Sequence, residues 1–133
     1  MVSLYFKNKQ TSTLMPEARL IDARLLAKEP YLTLINMLME TPKNQNLETA
    51  IPKDTKINKI ELKGDIVYID FSSEFVENHI GGLEQEENTI YSIVNTLTEL
   101  IEVNGVKILI EGEENKAFKD EVIDFEQIFS RIE

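Results

Sequence analysis

The segment from Lys59 to Phe71 constrains this chain more than any other. Ile60 and Leu62 alternate with Lys59, Glu61 and Lys63, and Val67, Ile69 and Phe71 then alternate with Tyr68 and Asp70. A period of two places the apolar set on one face of a strand and the polar set on the other. Lys63-Gly64-Asp65 separates the two runs, and a glycine in so short a connection supplies the positive φ that a tight turn needs. The pattern predicts a β-hairpin with one apolar face, and that face has to be covered by a second layer.

Two helices are predicted to provide the cover. Ile90, Val94, Leu97 and Ile101, reinforced by Ile93 and Leu100, form one stripe. Glu84-Gln85-Glu86-Glu87 opens that helix with negative charge at the positive end of its dipole, and Asn104-Gly105 closes it with a left-handed cap. Pro30 to Glu40 is the other helix, with Leu32, Ile35, Leu38 and Met39 on its stripe, Pro30 in its first turn and Thr41-Pro42 as its stop. Met39 reads as core, whereas Met37 lies off the stripe and faces a partner or solvent. Val2 to Phe6 reads as a first strand. Ala18 to Leu26 has a helix-like composition, but its place between two loops favours a strand. Val106 to Ile110 is apolar enough to be central in the sheet, and Ser72 to Gly82 is irregular. The tail, Ala117 to Glu133, carries Phe118, Val122, Ile123, Phe125, Ile128 and Phe129, too many apolar groups to stay free. The expected architecture is α+β: a two-layer sandwich with two main helices on a mixed β-sheet, in a single domain covering residues 1–133.

Composition excludes several functions. With 14 Lys and Arg against 24 Asp and Glu, the 133-residue chain has a formal charge of −10. A general nucleic-acid binder needs a basic surface to neutralise phosphates, so nucleic acid is not an expected partner. Adsorption to anionic lipid by charge alone is equally disfavoured. With no cysteine, disulfides, thiolate metal sites and cysteine nucleophiles are all excluded. No stretch approaches the roughly 18–20 apolar residues of a membrane span. Met1-Val2-Ser3 runs directly into strand-like sequence, so the natural chain is expected to start further upstream.

The residues that carry chemistry offer little. His79 has no Ser or Cys partner in a known motif and reads as a solvated or hydrogen-bonded loop residue. Glu84, Glu86 and Glu87, with Glu74 and Glu77 nearby, lack the alternating spacing of a calcium loop, and a helix start accounts for them. Gly81-Gly82 lacks the lysine of a phosphate loop, and the glutamates beside it would repel phosphate. Asp70, Ser72, Ser73 and Glu74 bring carboxylates and hydroxyls together, but nothing in the sequence holds two carboxylates in a cleft. Asn95 is the odd polar residue in an apolar helix. Buried, it needs partners, and it has two readings: Asn95 and Thr96 bond the Asp70-to-Phe75 loop, or Asn95 binds a ligand.

Three stretches in order resemble the GerMN domain family of sporulation and spore germination proteins. Ala50-Ile51-Pro52-Lys53-Asp54-Thr55-Lys56-Ile57 is similar to the family's Ala-Ile-Pro-x-Gly-Thr-x-aliphatic segment, with Asp54 where the family often has Gly. Gly64-Asp65-Ile66-Val67-Tyr68-Ile69-Asp70-Phe71-Ser72-Ser73-Glu74-Phe75 is similar to its G-x-aliphatic-A-Y-V-D-F-S-x-x-F strand. Ile90 to Glu99, leading into Val106 to Gly112, is the third. Weaker agreement at Pro16 to Arg19 and Ile123 to Phe125 extends the resemblance over nearly the whole chain.

The resemblance implies a fold like that of ring-building domains of sporulation channel proteins. It implies an extracytoplasmic module, membrane-associated through an N-terminal signal or anchor absent from this sequence, because family members are commonly lipoproteins. It carries over no catalytic residue and no cofactor or metal. The expected partners are cell-envelope or sporulation-complex proteins, or a second copy of the chain, engaged by sheet edges or by the helix face bearing Glu99 and Glu102. The alternative is a module that binds a small ligand or peptidoglycan fragment through Asp70, Ser72, Ser73, Glu74 and Asn95. A third reading, an acidic hydrolase, would use Asp70 and Glu74.

Overall fold

A computed structural model describes residues 1–131. Ile132 and Glu133, the end of the tail predicted to dock, lie outside the described residues. The predicted hairpin is present as β4 (Ile57–Lys63) and β5 (Ile66–Phe71), antiparallel with Ile60 opposite Ile69 and Lys63 opposite Ile66. Gly64 takes φ +64° in the connection. Val67, Ile69 and Phe71 are fully buried and Tyr68 and Asp70 are not, as the alternation requires.

The strands form two three-stranded sheets rather than one. β4, β5 and β6 (Gly105–Ile110) make a mixed sheet in the order β4-β5-β6, with β6 parallel to β5. A parallel return needs a long crossover, and the helices between Phe71 and Gly105 supply it. The second sheet is antiparallel, in the order β2-β1-β3, from β1 (Val2–Asn8), β2 (Leu14–Arg19) and the short β3 (Leu47–Glu48). β5, not β6, is the central strand of the mixed sheet. The outer edge of β6 is occupied by the tail, where Val106 and Phe129 exchange two backbone hydrogen bonds of 2.8 Å each. The apolar character of β6 therefore reflects burial under that tail.

The helices are α1 (Ala23–Lys28), α2 (Pro30–Met39), α3 (Glu74–Glu77) and α4 (Leu83–Leu97). The stretch read as one strand from Ala18 to Leu26 is a strand end followed by a helix. Asp22 starts α1 by accepting a hydrogen bond from the Arg24 N–H at 2.9 Å. Pro16 sits in β2, an edge strand, where a missing N–H does least harm. Within the irregular Ser72-to-Gly82 stretch, α3 is a single helical turn that buries Phe75.

Helix α4 stops earlier than its stripe predicts, and Ile101 is 96% exposed. The Thr98 N–H makes the last i→i−4 bond, to the Val94 carbonyl, and the Thr98 hydroxyl shares that acceptor at 2.7 Å, a side-chain bond that loosens the end of the helix. Gly105 is therefore not a helix cap. It lies in β6, where a Cβ would come within 2.9 Å of Ile128 and Ile66 side-chain carbons, so glycine there permits the tail's close approach. In α2, Leu34, Ile35 and Leu38 are buried, and Met37 and Met39 both pack partly against the core.

One core runs through the domain. On one side Leu4 and Phe6 of β1 and Leu34, Ile35 and Leu38 of α2 belong to the same buried cluster as Ile90, Ile93, Val94 and Leu97 of α4. On the other, Phe71 stacks on Phe75 at 4.3 Å between ring centroids, and Phe118 and Phe125 of the tail close around Phe75 at 5.8 and 5.9 Å. Val122 and Ile128 of the tail stay exposed.

Candidate functional site

Four of the five sequence-predicted site residues share the turn from β5 into α3. Each of the first three has a local structural task. Asp70 Oδ1 accepts from the Gly112 N–H at 2.9 Å and so holds the turn after β6. Ser72 Oγ accepts from the Lys56 N–H at 2.9 Å, beside a backbone bond from the Ser72 N–H to the Lys56 carbonyl. Ser73 occupies the start of α3. The Ser72 hydroxyl, with the Glu74 backbone N–H, holds the Glu74 carboxyl below its ordinary range. Asp70 also lines a concavity of about 280 Å³ on the polar face of the mixed sheet, with Lys59, Glu61, Lys63, Tyr68, Leu109 and Gly112. Lys59 and Lys63 both approach Glu61, at 3.5 and 3.4 Å, so this face is nearly charge-balanced.

Asn95 belongs to a different place. Its backbone carbonyl accepts from Arg131 at 3.2 Å, and its Oδ1 is buried without a partner among the described residues. Neither Asn95 nor Thr96 bonds the Asp70-to-Phe75 loop. Thr96 Oγ1 instead accepts from the Tyr5 N–H at 3.0 Å, and Ser92 Oγ donates to the Tyr5 carbonyl at 2.6 Å. Tyr5 lies opposite Pro16, which has no N–H to give, and β3 reaches only Lys7 and Asn8. Two hydroxyls one helical turn apart therefore stand in for a missing strand. Glu99 and Glu102 lie beyond the end of α4, where they accept from the hydroxyls of Tyr5 and Tyr31 at 3.0 and 3.1 Å.

The other end of α4 holds a polar cluster, in which His79 is the hydrogen-bonded loop residue of the sequence reading and Thr89 is the partner the sequence did not single out. His79 Nδ1 accepts from the Gly81 N–H at 2.9 Å, which places the ring proton on Nε2, 2.8 Å from Thr89 Oγ1. The Thr89 hydroxyl lies 2.7 Å from the Ala50 carbonyl and 3.0 Å from that of Gln85. Burial holds the His79 pKa below its ordinary value. With both nitrogens engaged and the ring neutral, His79 ties the loop before α4 to the Ala50-Ile51-Pro52 segment.

Glu86, one turn into α4, is only 2% exposed, and its Oε1 has no partner. Burial, together with the neighbouring Asp120 carboxyl, pushes its pKa up to about 7. A glutamate early in a helix is ordinarily a solvated dipole partner. Its removal from water depends on the tail segment around Phe118 to Asp120, far away in sequence. Among the described residues no group of three or more His, Asp or Glu side chains could hold a metal ion.

The profile of a family described as Germane, sporulation and spore germination, matches residues 3–116. The chain belongs to the Germane family. Solved structures agree. The tandem GerMN domains of the sporulation protein GerM from Bacillus subtilis match with a TM-score of 0.77 at 24% identity, over 98% of this chain and 45% of that one. This chain thus spans just under half of the tandem protein. The first GerMN domain of the same protein matches at 0.76 and 21% identity, over 98% and 97% of the two chains. A presumed lipoprotein from Clostridium perfringens matches at 0.68 and 26% identity, over 97% and 85%. No curated protein matched the sequence.

The one departure from the Germane Ala-Ile-Pro-x-Gly-Thr pattern has a structural reading. Asp54 adopts φ +67°, the left-handed conformation that favours glycine. Asp tolerates this region better than most residues. The turn keeps its shape, with Thr55 Oγ1 donating to the Pro52 carbonyl at 2.7 Å. Among the described residues no helix is long and apolar enough to cross a membrane.

Proposed function

We propose that this chain is a non-enzymatic assembly module that acts outside the cytoplasmic membrane, in sporulation, germination or cell-envelope complexes. The observation that carries this reading is the family match over residues 3–116, joined to the likeness to GerMN domains and to a presumed lipoprotein. The surface supports it. β4 is an edge strand of the mixed sheet, with Lys59 and Glu61 beside an unpaired ladder. Alternating charges on such an edge discourage indiscriminate pairing and leave room for a chosen partner. A net charge of −10 selects basic partners and speeds their encounter. A second copy of the chain is the other partner considered, held by weak lateral contacts at high local concentration.

The absence of cysteine makes a direct test available. A single Lys59→Cys substitution, in the native gene, carries a cleavable cross-linker at the β4 edge, and an Asn36→Cys variant on the exposed side of α2 serves as control. The expected result is protein that external protease reaches in the membrane fraction, with defined cross-linked products from Lys59→Cys alone. Untethered cytoplasmic protein without products at either position would contradict the proposal.

A further inference from the structure

Burying an ionised carboxylate is expensive unless a cation or hydrogen-bond donor meets it. Glu86 Oε1 has neither among the described residues, and the rest of the carboxyl meets only the Asp120 carboxyl. Of the lysines on the neighbouring segments, Lys119 donates to the Glu77 carbonyl at 2.6 Å, and Lys7 donates to Gln85 Oε1 at 2.8 Å while lying 3.5 Å from Glu48. The nearest acid, Asp120, makes matters worse by adding like charge. Two carboxyl groups so placed need something positive between them: a shared proton or a bound cation.

The space for a cation exists. Glu86 and Asp120 line a cavity of about 130 Å³ together with Val76, His79, Phe118 and Gly81-Gly82, with Lys119 at its wall. That exceeds the roughly 10–15 Å³ one water molecule requires. Its walls divide by chemistry. Glu86 and Asp120 supply the charge, whereas Val76 and the Phe118 ring supply an apolar side suited to a short alkyl stem. His79 is packed against the Phe118 ring at 4.6 Å between centroids and fixes that wall.

We propose that this cavity binds a primary ammonium group on a short alkyl chain, with the Glu86 and Asp120 carboxylates as its acceptors. Anions are excluded by the same carboxylates. A calcium ion wants six to eight oxygen ligands, and the two acids fall short of that number. His79 adds nothing to a metal, because one ring nitrogen accepts from Gly81 and the other faces Thr89. An ammonium group, by contrast, brings three donors in a small volume. The charges around the site set its demands. The positive end of α4 and Lys119 both oppose a cation, which is why a single carboxylate would not suffice. His79 is neutral, and Glu84 and Glu87 of α4 and Glu77 of α3 are exposed.

Occupancy is linked to protons. Below about pH 7 the empty site keeps a proton on Glu86, and the ammonium group replaces it, so binding in that range releases a proton and tightens as pH rises. This inference stands apart from the assembly role: losing it leaves the β4-edge proposal untouched.

The test is an NMR and calorimetric titration of the whole chain with n-butylammonium and with N-acetyl-lysine amide, at pH 8 and pH 5.5. Uncharged N-acetyl-norleucine amide and calcium chloride serve as comparisons. The expected result is saturable shift changes at Val76, Phe118 and Asp120 with both amines at pH 8. Binding should be at least about tenfold weaker at pH 5.5, with proton release at intermediate pH. Preference for the lysine derivative would point to a peptide side chain as the source, and equal binding to a free amine. Glu86→Gln should abolish binding, whereas Glu84→Gln should not. Asp120→Asn, on the exposed segment, gives the same answer if Glu86→Gln fails to fold. No saturation at pH 8, equal binding of the norleucine derivative, binding of calcium alone, or binding unaffected by both acid substitutions would each overturn the proposal.

Discussion

The two ends of α4 bury polar side chains for opposite ends. Toward the C-terminus, Ser92 and Thr96 are 1% exposed, and their hydroxyls complete the hydrogen bonding of Tyr5 in β1. Toward the N-terminus, Glu86 is just as buried, and its Oε1 has no partner among the described residues. A polar group that is buried and satisfied is part of the architecture, whereas one buried without a partner needs an explanation of its own. Asn95 Oδ1 is a second such atom, near the C-terminal end, but it belongs to a neutral amide, and Glu86 is the one that can carry charge. On the ammonium-site proposal, the difference separates what holds this fold together from what it offers to a ligand.

The sharpest way to break that contrast is to remove both hydroxyls. Ser92→Ala with Thr96→Val leaves the Tyr5 N–H and carbonyl buried and unpaired, and should lower the free energy of unfolding by about 2–4 kcal/mol in urea titration. A loss below about 1 kcal/mol would mean that water reaches Tyr5. Glu86→Gln at pH 8 should cost far less, or stabilise, because it removes a buried charge.

The next effect is on pH dependence. Glu86 binds its proton more tightly in the folded state, with a pKa raised from 4.5 to about 7. Its contribution to stability is therefore complete below about pH 4.5 and lost as pH rises through 7. Over that window the wild type should lose up to about 3 kcal/mol relative to Glu86→Gln. His79 works the other way, because its lowered pKa makes the folded state resist protonation, so stability falls as pH drops below 6.5. The difference between the two chains cancels the His79 effect, and a flat difference would remove Glu86 from the account.

A smaller effect lies outside α4. Asp54→Gly should raise stability by roughly 0.5–1 kcal/mol, because relief of the φ +67° strain exceeds the extra freedom of the unfolded chain. Least of all, Arg131→Ala should cost under about 0.5 kcal/mol. Its 3.7 Å pairing with Glu99 and its hydrogen bonds to the Tyr5 hydroxyl, the Asn95 carbonyl and Thr98 Oγ1 are all solvent-exposed, so thermal melting should barely change.

What the sequence made legible follows from the range of the forces involved. The hairpin around Gly64 and the helix read from Pro30 to Glu40 rest on local periodicity and turn chemistry. The hairpin formed as read. The helix formed from Pro30 to Met39 with Leu34 rather than Leu32 buried beside Ile35 and Leu38, and with Met37 partly packed on the core. The apolar stripe predicts a longer α4 than forms: it runs on to Ile101, while beyond Thr98 the backbone turns through the i→i−3 bonds of Leu100 and Val103. The split into two sheets could not be seen, since it depends on which distant strands pair: β1 takes β2 and β3 as neighbours, and β5 takes β4 and β6. At the level of the site, periodicity placed Asp70 and Tyr68 on the polar face. Nothing local announced that Phe118 and Asp120 would fold over Glu86. The run Glu84-Gln85-Glu86-Glu87 gives four polar residues on a helix start, and only the tail's docking distinguishes the third from the rest.

The most direct test of the account is the titration of the Glu86 side-chain carboxyl carbon by NMR, in the wild-type chain with and without N-acetyl-lysine amide. The account predicts a midpoint near 7 in the free chain, moving downward as the amine takes the proton's place. A midpoint near 4.5, unchanged by the amine, would show an ordinary solvated glutamate and contradict it.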